Sequence, residues 1–194
     1  MNNEILLFHG TGLDFQKPSL SNARYDVDFG KGFYLTENRS MAESWCSRRG
    51  SHYLMEFKVN LDGLSVYKFE PNKEWLDFVI GNRDGRFNER YEEYDVLVGP
   101  TADDKLFSTI DEYKEGTLTA NETIELLNIA GYSNQIVFKN EKALERGLVL
   151  INRTQLSEEE AQEARNNSVK DRDVILKKFK DKKVEFAKRR AEKE

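Results

Sequence analysis

Residues 29–46, FGKGFYLTENRSMAESWC, pass from a glycine-bracketed turn into a short apolar strand and then into an amphipathic helix. Gly30 and Gly32 bracket the turn, FYLT reads as the strand, and Ser40 is placed to cap a helix over SMAESWCSRR. The stretch sets two aromatic residues, Tyr34 and Trp45, just beyond the turn in an otherwise polar segment. A strand and helix whose aromatics fill a core would account for it alone, so the rest of the chain has to decide.

Short apolar runs stopped by glycine recur along the chain. EILLF (4–8) reads as a buried strand ending in the loop HGTG, and residues 13–28 read as loop. Strands are expected at 52–61, 94–100, 135–139 and 148–156, and helices at 72–83, 103–116 and 119–131, with a short one in NEKALERG. From Ser157 the chain has no proline or glycine and reads as one helix. Strands do not alternate regularly with helices, which favours an α+β fold with antiparallel sheet over a doubly wound parallel one. No GxGxxG opens a helix and no GxxxxGK[ST] is present, so a Rossmann or P-loop nucleotide site is unsupported.

Charge is segregated along the 194 residues. Ser168–Glu194 carries eleven Lys/Arg against six Asp/Glu, leaving 19 against 29 in residues 1–167. An acidic body argues against a broad nucleic-acid-binding face on it. One cysteine excludes an internal disulfide and a cysteine zinc cluster, and two histidines disfavour a histidine metal site. No apolar run is long enough to span a bilayer and the first residues do not form a secretion signal, so a cytoplasmic protein without membrane partners is expected.

HGTG (9–12), GKGFY (30–34) and NQIVF (134–138) each put polar or aromatic residues where a strand meets a loop. In that order and spacing they resemble the ADP-ribosyltransferase superfamily, in the branch shared by diphtheria toxin and the poly(ADP-ribose) polymerases. Polymerase-type members follow Phe-Gly-Lys-Gly-x-Tyr with an aromatic eleven residues after the tyrosine and then a cysteine, places taken here by Tyr34, Trp45 and Cys46. Small bacterial domains suspected of toxin or defence roles look similar in the same blocks and in YDVLVGPTADD (94–104). The resemblance covers roughly residues 4–150. It implies split antiparallel sheets around an NAD cleft over residues 1–156, followed by a charged C-terminal helix, 157–194.

Carried over residue by residue, the resemblance makes Tyr34 and Trp45 walls of a nicotinamide slot. It has His9 hydrogen-bond the adenine-side ribose and Gly10 present its backbone to the carboxamide. Thr11 and Gly32 would be neighbours of the cofactor, and Arg24 would contact the diphosphate. The implied activity is mono-ADP-ribosyl transfer from NAD, as co-substrate, to a protein or nucleic-acid acceptor, with a neutralising protein as a further expected partner. NAD hydrolysis and NAD or ADP-ribose binding without turnover are the alternatives.

The third motif departs from the usual pattern. The family usually has Glu where this chain has Gln135, preceded by Asn134, and strand alternation lets only one of the two face a cleft. A hydrogen bond to a neutral acceptor is worth about 1 kcal/mol less than one to a carboxylate, or roughly five- to tenfold in rate, so Gln135 slows the chemistry without forbidding it. Asp103 and Asp104 read as a helix start, or else as the missing negative charge. In the tail, Ile175, Phe179 and Phe186 fall near one helix face, to pack on the body or to dock a partner.

Overall fold

The computed structural model describes residues 4–86, 88–102, 108–129, 131 and 133–192. Asp103 and Asp104 lie outside the described residues. The strands are β1 (Ile5–Thr11), β2 (Phe33–Thr36), β3 (Tyr53–Val59), β4 (Val66–Lys68), β5 (Val96–Pro100), β6 (Asn134–Phe138) and β7 (Leu148–Gln155). The helices are α1 (Arg39–Cys46), α2 (Lys73–Arg83), α3 (Thr109–Lys114), α4 (Ala120–Leu127), α5 (Glu141–Gly147) and α6 (Glu158–Ala191).

The fold is α+β, as expected, and the strands form a single sheet in the order β4-β5-β6-β2-β1-β3-β7. Two corrections follow. The sheet is mixed rather than antiparallel, because β4 pairs parallel to β5. It is also one hydrogen-bonded unit rather than two sheets, with its weakest junction between β1 and β2, where only Phe8 and Thr36 are in register.

Register assigns the faces. Phe8 lies opposite Thr36, Thr36 opposite Gln135, and Tyr34 opposite Val137, so these residues share one face. On that face α1 packs Ala42 against Phe8 and Leu54, while α2, α3 and α4 bury Val137 and Leu97 under Trp75, Val79, Ile110 and Leu127. The other face packs Leu7, Leu35, Phe57 and Ile136 against Ala143 and Leu144 of α5, with Phe15 and Leu20 from the loop after β1.

Helix starts are set by side chains that accept the first free amides. Asn38, Asn72 and Asn140 cap α1, α2 and α5, and Thr119 and Ser157 form capping boxes with Glu122 and Glu160. The cap of α1 is therefore Asn38, two residues before the expected Ser40. The last helix packs on the body at both ends. Near its start Glu158 meets His52 and Arg165 donates to the Ser47 carbonyl, and Phe179 and Phe186 are buried against Leu118 and Leu126 beside α4. Burying each phenylalanine is worth ~2 kcal/mol, more than a solvent-screened ion pair such as the half-buried Lys182–Glu125, so apolar packing dominates that docking.

Candidate functional site

The seam between β1 and β2 is where the motif residues gather. β1 pairs with β3 along its whole length, Ile5 to Thr11, but with β2 at one position only. Beyond that position the His9 ring reaches across, its Nδ1 lying 2.7 Å from the Tyr34 carbonyl oxygen. A carbonyl can only accept, so Nδ1 carries the proton and Nε2 of the neutral ring is an acceptor. The ring stacks on Phe33 with centroids 4.4 Å apart and tilts against Phe15. Desolvation there lowers its pKa to about 4, helped by the Arg49 charge and opposed by the Tyr34 hydrogen bond. His9 is thus uncharged at neutral pH, and it projects to the face opposite Tyr34 and Gln135.

Gly10 is required by packing. A Cβ there would lie 1.9 Å from the Ala42 carbonyl oxygen and 2.9 Å from the Cys46 nitrogen. That close approach sets α1 on β1 and carries Trp45, half-buried in the last turn of the helix, to the same side of the sheet as Tyr34. No ring-to-ring contact joins Tyr34 and Trp45 among the described residues. Cys46 is buried and burial pushes its thiol up to about 11, which leaves it without nucleophilic character at neutral pH. Thr11 is buried, and its hydroxyl accepts from the Leu13 amide and shapes the loop.

The glycine turn is fixed from below. Gly30 has φ of +65°, which glycine adopts at no cost, and a Cβ at Gly32 would lie 2.3 Å from Val137 on β6. Tyr34 folds its hydroxyl back onto the turn, donating to the Gly30 carbonyl at 2.7 Å and accepting from the Phe29 amide at 3.0 Å. Burial first, then the charge of Asp28, push its pKa well up, so the Tyr34 hydroxyl keeps its proton at neutral pH. Lys139, whose side chain is 3% exposed, donates to the Phe29 carbonyl and pairs with Glu92 at 3.4 Å.

Asn134 is exposed, whereas Gln135 is 3% exposed and, opposite Thr36 in register, lies on the Tyr34 face of the sheet. Gln135 Nε2 donates to the Pro100 carbonyl at 3.1 Å and to Asp28 Oδ2 at 3.2 Å. Asp28 in turn accepts from Arg83 Nε and Nη2 and from the Ala102 amide. Asp28, Arg83 and Lys139 were not singled out in the sequence, nor was Arg49, whose Cβ lies against Gly12 and whose charge reaches His9. Arg24 sits on the exposed loop with its guanidinium engaged by Asp26, so an anion there would have to displace that carboxylate. No group of His, Cys, Asp and Glu among the described residues is arranged to hold a metal ion.

Residues 5–148 match the model of a family described as protein of unknown function (DUF3990). The chain belongs to that family. The DUF3990 match starts at β1 and ends at the first residue of β7, so it contains the whole seam and leaves α6 outside. No curated protein and no solved structure matches the chain. Among the described residues no helix is long and apolar enough to cross a membrane.

Proposed function

We propose that the seam binds NAD and that the protein is a mono-ADP-ribosyltransferase. The observation that carries the reading is the β1 to β2 junction itself. One registered pair holds it, His9 bridges it, and Tyr34, Gln135 and the helix bearing Trp45 all lie to one side of it. This supports the motif resemblance, because the three motifs lie far apart in sequence and fall on the adjacent strands β1, β2 and β6, with the His9 ring on the face opposite Tyr34 and Gln135.

In this reading Tyr34 and Trp45 cover the pyridinium faces, which suits electron-rich rings and a flat cation. His9, neutral with Nε2 as an acceptor, takes a hydrogen bond from a ribose hydroxyl. Gln135 accepts from the nicotinamide ribose through its amide oxygen. The bond from the anomeric carbon to the ring nitrogen breaks with its electron pair going to nicotinamide, which leaves neutral. The acceptor attacks the opposite face of that carbon and gives its proton to solvent. Arg49, rather than Arg24, is the cation near His9 available to the diphosphate.

The test is incubation of the protein with labelled NAD and a cell lysate. Released nicotinamide together with a labelled macromolecule is the expected result, and neither product would end the proposal. The uncharged Gln135 favours a second reading, NAD binding without turnover. Calorimetric NAD binding with no nicotinamide released would select it, and nicotinamide release without labelling would select hydrolysis.

A further inference from the structure

We infer that Asp28 is a positioning residue for the Gln135 amide, and that the site is built to hold its carboxylate at position 28 and an amide at 135. Both partners of Gln135 Nε2, the Pro100 carbonyl and Asp28 Oδ2, are acceptors. A flipped amide would set its oxygen against two other oxygens, so the orientation is dictated by chemistry. Asp28 cannot turn away to relieve such a contact. Arg83 holds Oδ1 through Nε at 2.9 Å and Nη2 at 2.7 Å, and the Ala102 amide holds Oδ2 at 3.0 Å. No described residue donates to Gln135 Oε1, so the oxygen is the end of the amide left for a ligand, and the hydrogen bond to a carboxylate enriches it in negative charge.

Glutamine at 135 is therefore not a weakened glutamate. A glutamate there would bring a second carboxylate to within hydrogen-bond distance of Asp28 and of a carbonyl oxygen, with no donor between them, and could remain only by keeping a proton. The charged and titratable groups facing the pair are Arg83 from α2 and the Tyr34 hydroxyl from β2, while Lys139 at the end of β6 is spent on the Phe29 carbonyl. The catalytic consequence of this assignment rests on the NAD-cleaving reading, whereas the geometry does not.

The experiment is a thermal cycle in the full chain over pH 5 to 8 with Q135E, D28N and D28N/Q135E, followed by nicotinamide release from each. A glutamate at 135 with a raised folded-state pKa is stabilising while protonated and loses that stability as pH rises. Q135E is therefore expected to fall below the unsubstituted protein by ~5 °C more at pH 8 than at pH 5. The double variant, with the carboxylate moved to 135 and the amide to 28, removes the contact between two carboxylates but leaves the glutamate at 135 against the Pro100 carbonyl and Arg83 without its carboxylate. It is therefore expected to regain part of the loss at pH 8 and to narrow its pH dependence. In turnover, D28N should lower kcat with little change in KM, and the double variant should recover it. A Q135E protein as stable as the parent at pH 8, or a double variant no more stable than Q135E, overturns the assignment. If Q135E does not fold at any pH, folding of the double variant decides in the same way. Absence of nicotinamide release from the unsubstituted protein sinks the NAD reading alone, since the thermal cycle involves no NAD.

Discussion

The two sides of the seam are held by different physics. On the β2 and β6 side, Asp28, Arg83 and Gln135 fix one another, and Lys139 holds the Phe29 carbonyl, through directional contacts between residues remote in sequence. On the β1 side, position is set by shape: Gly10 lets α1 settle onto the strand, and His9 is clasped between Phe33 and Phe15. The polar side decides which atom is presented, and the packed side decides how closely the walls approach. A change of charge should damage the first and a change of volume the second.

Arg83→Ala is the sharpest way to break the polar side. It leaves Asp28, whose side chain is 13% exposed, without its cation, and removes the donor to the Ala102 carbonyl. The expected loss is ~4 kcal/mol, the scale for removing one partner of a buried pair, read as a lower urea midpoint at unchanged slope. A loss under ~1 kcal/mol would class the pair with screened surface ion pairs and erase the contrast. Gly10→Ala tests the packed side and should cost less, ~3 kcal/mol, because the new methyl must push the α1 backbone away from β1. A shift in Trp45 fluorescence should accompany it, and an alanine accepted without loss would mean that α1 is not set by this contact.

The same contrast explains what the sequence made legible. The packed side was readable, since glycines flanking short apolar runs mark turns and close approaches, although the cap expected at Ser40 lies two residues earlier, at Asn38. The polar side was not, because Arg83 and Gln135 reach Asp28 from 55 and 107 residues away, and no local pattern links them. Alternation puts Asn134 and Gln135 on opposite faces, and only the packing shows that Gln135 is the buried one. β4 was missed because three residues joined in parallel to β5 carry no period. β1 runs on through HGT, past the expected stop at Phe8, because β3 supplies a partner for every residue. The basic tail was visible as charge, but its match was not: Lys183, Lys182 and Arg190 meet Glu112, Glu125 and Glu122 of the acidic body.

The smallest expected effect concerns His9, and it measures how dry the packed side is. The folded-state pKa of about 4 lies below the ordinary 6.5, so as pH falls the unfolded chain takes up the proton first. Stability is thus complete above pH 6.5 and declines between 6.5 and 4, below which both states are protonated. The full shift corresponds to ~3 kcal/mol, and partial exposure of the ring reduces the expectation to ~2 kcal/mol. His9→Phe keeps the stacking on Phe33 and cannot titrate, so its stability should decline less by that amount across the window, with the carboxylates common to both proteins cancelling in the difference. Parallel curves would mean that water reaches the ring freely, and a seam open to water on the β1 side would not be held by shape.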